Sequence, residues 1–283
     1  MAELHHFAFG WFNPVVAFLM AFLGSLLGLL CTARARRARL RGRRVRWLIM
    51  AAVAIGGAGL WLMHFMAMLG FDVPASPVRY DPILTVASLV IAVFAVGTGL
   101  FIVCLGKRRL YKLLLGGPVA GCGMAAMHFA GMSALRVNGT IEYVPRLAGA
   151  TVLIAVVAST VALGFAATIR SWWPIVAAAS IMAVGAVGMH YAGMAALRVR
   201  LDPDGGGAVS GLSPMLLVVP ITLLTAIALL AMAFNALQAM TEEEFDGAGP
   251  GGHRLQGGAH AEVPFQLSLP RGEVVRAGGA GAD

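Results

Sequence analysis

Long apolar stretches of about twenty or more residues alternate along the chain with short polar segments. At a rise of about 1.5 Å per residue, each stretch is long enough as an α-helix to cross a hydrocarbon layer of about 30 Å. The pattern therefore predicts an all-α membrane protein with seven transmembrane helices, at residues 13–32, 47–70, 83–106, 113–135, 147–169, 173–197 and 213–240.

The composition supports this class of protein. Of the 283 residues, 59% are hydrophobic and 12% are charged, and the mean hydropathy is +0.83. Soluble domains average about 25% charged residues, because a soluble fold needs a polar surface. These values exclude an ordinary soluble domain and make the lipid bilayer the expected surroundings of the chain.

Basic residues are concentrated in alternate predicted loops, and this asymmetry predicts the orientation. Eight arginines lie between Arg34 and Arg46, and the third and fifth loops are also basic, whereas the second, fourth and sixth loops carry balanced charges. Because basic loops stay on the cytoplasmic side, we expect the N-terminus outside and the C-terminus in the cytoplasm of a bacterial inner membrane. The net charge of +8 is thus a topology signal, and no nucleic-acid partner is expected.

The segment after residue 240 has a different composition. It opens with acidic residues (Glu242, Glu243, Glu244 and Asp246) and continues with many glycines, alanines and prolines. Such a segment buries too little apolar surface to offset its ordering entropy. We therefore expect a seven-helix membrane domain over residues 1–240 and a disordered cytoplasmic tail over residues 241–283.

A His-containing motif recurs in the second, fourth and sixth predicted helices. His64 and His128 are 64 residues apart, and His128 and His190 are 62 apart, so one period covers two helices. The chain is thus predicted to contain three two-helix repeats and a seventh helix, with the three motif helices running in the same direction. Each histidine lies six or seven residues before the predicted outer end of its helix, about 10 Å along the axis. The spacing places the three imidazoles in one layer and leaves open whether they converge laterally.

Each motif also offers a sulfur donor. A methionine follows each histidine by four positions, on the same helix face, and these residues are Met68, Met132 and Met194. Ionisable groups within a membrane are costly and are functional candidates by default. Imidazole and thioether without carboxylate form a soft donor set, which favours copper, particularly Cu(I). The pattern predicts a copper site near the outer face.

At these residues the sequence resembles the MHYT family of bacterial membrane sensor domains, named for a repeated Met-His-Tyr-Thr motif. The resemblance implies seven helices and a copper centre that senses oxygen, carbon monoxide or nitric oxide. Carried over to this chain, the ligands implied are Met63, His64, Met127, His128, Met189 and His190, with Met68, Met132 and Met194 also matching. The chain departs from the motif where Phe65 and Phe129 replace tyrosine and where threonine is absent.

We therefore expect a sensor that binds a diatomic gas at copper and signals through an unknown cytoplasmic protein. A copper transporter or another metal-handling membrane protein, haem bound by two of the histidines, and histidines that only pack remain alternatives. No nucleophile, carboxylate pair or nucleotide-binding loop is evident, so an enzyme is not expected.

Overall fold

Among the residues that the computed structural model describes, six helices are long and apolar enough to cross a membrane, and they correspond to the first six predicted spans. The structure describes residues 10–73, 76–106, 110–201 and 209–214, together with scattered residues of the segment 216–234. The helices are α1 (Phe12–Arg37), α2 (Arg41–Met68), α3 (Pro82–Cys104), α4 (Leu110–Ser133), α5 (Pro145–Thr168) and α6 (Trp172–Ala195). The protein is therefore a mainly helical, multi-pass membrane protein.

Some predictions concern residues that the structure describes only in part. Within the expected seventh helix, 213–240, scattered residues up to Phe234 have helical backbone. The expected tail, 241–283, lies outside the described residues, as does the N-terminus. The chain divides into one unit, Met1–Ala233, which holds the six helices, and a second, Phe234–Asp283, of which only Phe234 is described. The seventh helix, the tail and the orientation stay predictions.

The six helices form a closed ring. Each helix packs against the next one in the chain, and α1 packs against α6. Small residues make the close approaches: a Cβ added to Gly99 of α3 would lie 2.8 Å from Ala120 of α4, and one added to Gly121 of α4 would lie 2.4 Å from Val156 of α5. Small residues let helix backbones approach closely in membranes, where apolar burial alone does not drive association. The motif helices α2, α4 and α6 are alternate members of this ring.

The middle of α2, Val53–Trp61, is a π-helix rather than an α-helix. The stretch contains three glycines, which are poor helix formers. It also packs tightly on α1, since a Cβ added to Gly24 would lie 2.3 Å from the Cα of Gly59. Where the π-helix ends, the indole Nε1 of Trp61 donates to the hydroxyl of Ser88 in α3 at 3.0 Å. Contacts with both neighbouring helices thus hold this part of α2.

The arginine cluster lies on helix ends, not in the long loop that the hydropathy pattern predicts. Helix α1 continues to Arg37 and α2 begins at Arg41, so only residues 38–40 form the linker. Arginine, alanine and leucine are good helix formers, and cations are favoured at a helix C-terminus. Arg36 of α1 donates to main-chain carbonyls at the end of α5, among them that of Ile169. This end of the bundle is therefore basic, and hydrogen bonds connect α1 to the end of α5.

The described part of the chain has four short strands at the opposite end, and the sequence pattern does not predict them. Strand β1 (Arg79–Tyr80) pairs antiparallel with β2 (Leu135–Arg136), and β3 (Gly139–Tyr143) pairs antiparallel with β4 (Leu197–Leu201). Strands β2 and β4 directly follow the motif helices α4 and α6. Segments of two to five residues are too short to give a clear alternating pattern.

Candidate metal centre

The three motif histidines lie near the C-terminal ends of α2, α4 and α6. His64 lies four residues before the end of α2, and His128 and His190 lie five residues before the ends of α4 and α6. All three side chains are buried, with at most 1% of their surface exposed. At about 1.5 Å per residue, these positions form one layer about 6–8 Å from the helix ends. The common depth predicted from the spacing is confirmed.

The three rings also converge laterally, which the spacing leaves open. The Nδ1 atom of His64 lies 3.0 Å from that of His190 and 3.3 Å from that of His128. The ring centroids are 5.0–5.2 Å apart and the interplanar angles are 79–88°, so each ring stands edge-on to the other two. One nitrogen from each histidine lies within 4.8 Å of the nitrogens of the other two.

The donor set fits a small metal ion. If three imidazoles bind one ion at about 2.0 Å, their nitrogens lie about 3.4 Å apart, close to the separations measured from His64. The cluster contains no carboxylate, so it is a softer site than magnesium or calcium prefers. The Nδ1 atoms of His64 and His190 are 3.0 Å apart, which leaves no room for a porphyrin between them, so the arrangement favours a single small ion over haem.

Two glycines of the motif helices lie against the histidine rings. A Cβ added to Gly131 would lie 2.3 Å from the Nε2 of His64, and one added to Gly193 would lie 2.1 Å from the Nε2 of His128. Only glycine leaves room for the rings in these positions. The sequence pattern alone does not reveal this contact. The available signal was a small residue three positions after each motif histidine; in the first motif it is Ala67, which is buried.

An aromatic side chain directly follows each histidine and stands edge-on to it. The rings of Phe65, Phe129 and Tyr191 lie 5.0–5.2 Å from the histidine rings, with interplanar angles of 73–89°. Phe65 in turn contacts Trp61, at 4.9 Å between ring centroids, and Phe129 contacts Tyr143 of β3, at 5.4 Å. These rings surround the imidazoles with apolar surface, which limits the access of water and lowers the local dielectric.

All six methionines predicted as ligands are buried, and they are Met63, Met68, Met127, Met132, Met189 and Met194. Three of them lie one turn after a histidine, on the same helix face and on the side of the strands. The other three directly precede a histidine. Each lies within four residues of a motif histidine along its helix, and a ligand role for these methionines stays a prediction.

Polar interactions hold the strands on the end of the bundle. The buried hydroxyl of Tyr80 donates to the carbonyl of Met68 at 3.2 Å, and the backbone of Tyr80 exchanges two hydrogen bonds of 2.9 Å with Leu212. Asp81 accepts from the first N–H groups of α3 and from Arg136, at 2.9 Å. The hydrogen bond from Arg136 and those from the backbone lower the pKa of Asp81, and burial raises that of Tyr80.

Comparison with known families supports the repeat. Residues 57–117 and 121–179 match the MHYT family, described as a "Bacterial signalling protein N terminal repeat". The two matched segments contain His64 and His128. Fold and site together define a multi-pass membrane signalling module built from histidine-bearing repeats. The chain belongs to the MHYT family, which confirms the resemblance seen in its motifs.

Several curated proteins are similar to this chain. It is 36% identical over 238 residues to MucR of Pseudomonas aeruginosa, named a bifunctional diguanylate cyclase/cyclic di-GMP phosphodiesterase, and the match covers 82% of this chain and 34% of MucR. It is 35% identical over 188 residues to NbdA of the same organism, named a cyclic di-GMP phosphodiesterase, with 64% and 24% covered. It is 34% identical over 163 residues to the signaling protein YkoW of Bacillus subtilis, with 55% and 20% covered. The chain spans about a third of these relatives or less, and no solved structure matches it.

Proposed function

We propose that this protein is a bacterial membrane sensor in which His64, His128 and His190 hold a copper ion. The proposal depends on the convergence of three buried imidazoles, one from each repeat. Packing alone gives no reason to bring three polar rings together in an apolar layer, since apolar side chains fill such a volume without the cost of burying polar atoms. A metal ion accounts for this convergence.

Copper is the metal that the surrounding side chains favour. Imidazole suits several transition metals, but thioether donors select Cu(I), and the cluster contains no carboxylate. Copper binding requires neutral imidazoles with a free lone pair, which an apolar surrounding favours. We propose that some of the six buried motif methionines complete the donor set.

The surroundings of the triad favour a sensor over a copper transporter. A copper pathway needs successive donor groups along the bundle. One turn from the histidines toward the arginine end, the corresponding positions are Leu60, Met124 and Ala186, of which only Met124 offers a thioether. The lining of a cavity on that side adds one more thioether, Met182, and no imidazole, thiol or carboxylate. So few donors favour an end point over a step in transport.

We propose a diatomic gas as stimulus and a cytoplasmic signalling protein as partner. A copper ion held by the three histidines would supply the chemistry that binds oxygen, carbon monoxide or nitric oxide. The three histidines lie on helices that continue to the arginine end, so a change in their spacing moves all three helices at that end. Because MucR and NbdA are named as enzymes of cyclic di-GMP turnover, we propose a partner in cyclic di-GMP signalling. The proposed role of this chain is sensory and not catalytic.

Copper analysis of the purified full chain tests the proposal. We expect about one Cu(I) per chain in the unchanged protein and none in the variant with His64→Ala, His128→Ala and His190→Ala. His253→Ala, which lies outside the described residues, serves as the histidine control and should keep its copper. Elution as the same monodisperse species in detergent shows that the variants are folded. Absence of stoichiometric copper under both oxidising and reducing conditions would end the proposal.

The sulfur donors are tested separately. Met68→Leu keeps the side-chain volume, so the fold should tolerate it, and we expect the affinity for Cu(I) to fall about tenfold. Met50→Leu, at the other end of α2, is the matched control and should bind Cu(I) normally. Equal affinities in a competition titration with a Cu(I) chelator would remove Met68 from the ligand set.

A further inference from the structure

A small cavity lies directly beneath the histidines, inside the helix bundle. Its volume is about 50 Å³. The lining includes the residue four positions before each motif histidine, namely Leu60, Met124 and Ala186. Residues four positions apart share a helix face and lie about 6 Å apart along the axis. The cavity is therefore one helical turn from the triad, on the side of the arginine end.

The cavity is lined almost entirely by apolar side chains. Twelve of the fourteen lining residues are apolar, and the other two are Ser25 and Ser159. Serine hydroxyls within helices commonly bond to a carbonyl one turn earlier, which occupies their hydrogen. A buried water needs about two to four polar partners, whereas cavities with apolar walls stay dry and bind apolar molecules such as xenon. The lining favours an uncharged apolar occupant over water or an ion.

The size and position of the cavity restrict its occupant further. A water-sized sphere occupies about 10–15 Å³, so 50 Å³ admits a molecule of two or three heavy atoms and no lipid chain. One wall is formed by α5, where Ala158 and Ala162 are only half-buried. This wall lies at the depth of the hydrocarbon layer, in which apolar gases are more soluble than in water. A gas molecule thus has a short lateral route from the bilayer to the cavity.

We propose that this cavity is a docking site for a dissolved diatomic gas, which it holds one helical turn from the imidazole triad. The inference deepens the proposed function and rests on it for the identity of the natural ligand. Binding in the cavity itself requires no metal, because the apolar lining supplies the attraction. Met124, one turn before His128, lies between the two sites and belongs to the lining of the cavity.

Xenon binding to the metal-free protein tests this site. The chelator-treated full chain is placed in lipid nanodiscs, and ¹²⁹Xe NMR measures saturable binding against empty nanodiscs. Ala186→Leu fills the cavity from α6 and Ala162→Leu fills it from α5, so either variant serves if the other fails to fold. Ala177→Leu, an exposed residue of α6 outside the lining, is the control. We expect one xenon site in the unchanged protein and the control, and at least tenfold weaker binding in both cavity variants.

Two results would overturn the inference: no saturable xenon binding in the unchanged protein, or equal binding in a folded cavity variant and the control. A Cu(I) titration of the same samples separates this inference from the proposed function. Copper binding without xenon binding removes the cavity site and leaves the metal centre. Xenon binding without copper binding leaves an apolar docking site and removes the metal sensor.

Discussion

At the scale of single residues, the triad depends on positions that carry no side chain. His64 lies against Gly131, and His128 lies against Gly193, so each of these two rings packs on the backbone of the next motif helix. The first contact joins the first repeat to the second, and the second contact joins the second repeat to the third. The first motif has Ala67 at the corresponding position, so the three repeats are unequal around the histidine triad.

The glycine contacts lead to a prediction about metal affinity. In Gly131→Ala the new Cβ would lie 2.3 Å from the His64 Nε2 atom, so the ring must move. Because groups that orient metal ligands typically contribute about 10–100-fold in affinity, we expect Cu(I) affinity to fall by about that factor. The same result is expected for Gly193→Ala, where the Cβ would lie 2.1 Å from the His128 Nε2. A chelator-competition titration measures the effect.

Gly188→Ala is the matched control for these variants. Gly188 lies in α6 with no atom within 4 Å of its added Cβ, and alanine favours helix more than glycine does. Unchanged copper affinity is expected there. Normal affinity in Gly131→Ala as well would show that the ring does not need this position.

The residues of the site differ in how far the sequence predicts them. The histidines stand out because ionisable groups are rare in apolar spans and because the motif recurs. The role of Gly131 does not stand out in the sequence, because glycine is common between membrane helices. The spacing of residues along the chain also does not show which helices are neighbours. The distance of 3.0 Å between His64 and His190 depends on which helices are neighbours and how each is rotated. Those properties arise from packing.

At the scale of elements, α2 is unlike the other helices. It connects the arginine end to His64, and its middle is the π-helix Val53–Trp61. Single-turn π bulges are often associated with functional sites. Here the π-helix ends only three residues before His64, so the position of this histidine depends on how α2 packs against α1. The contact between Gly24 and Gly59 determines that packing.

The two glycines of this contact are not equivalent, which leads to a second prediction. A Cβ on Gly24 would lie 2.3 Å from the backbone of α2, whereas a Cβ on Gly59 would have its nearest contact at 3.4 Å. We expect Gly24→Ala to destabilise the fold by about 1–3 kcal/mol, as overpacking does, and Gly59→Ala to have little effect. Thermal unfolding in detergent measures both. If Gly24→Ala melted at the same temperature as the unchanged protein, α1 and α2 would have moved apart at no cost in stability.

The helices are far more predictable than the other elements. Twenty apolar residues give a strong signal: the hydropathy pattern predicts α3 at residues 83–106, and the structure has it at Pro82–Cys104. The π-helix is not predictable, because its extra residue per turn depends on contacts with α1 and α3. The strands are also missed, because β1 has two residues and pairs with a segment more than fifty positions away.

At the scale of the whole molecule, the two ends of the bundle differ in chemistry. One end carries the histidine layer, the strands and balanced charges such as the pair of Arg136 and Asp81. The other end carries the arginines of α1 and α2 and no acidic residue among those described. An anionic membrane surface and the rules of insertion both favour basic residues in the cytoplasm. The asymmetry thus predicts that the proposed metal site lies near the outer face.

This orientation leads to the last prediction, which cysteine labelling tests. Cys31, Cys104 and Cys122 are first replaced by alanine, and one exposed cysteine is then introduced by Thr140→Cys in β3 or by Arg39→Cys in the linker after α1. A maleimide that does not cross membranes should label the Thr140→Cys protein in intact spheroplasts, because β3 is predicted to lie outside. It should label the Arg39→Cys protein only after permeabilisation, because basic linkers remain inside. The reverse pattern would place the triad near the cytoplasm, and a stimulus would then have to reach it from the cell interior or from the bilayer.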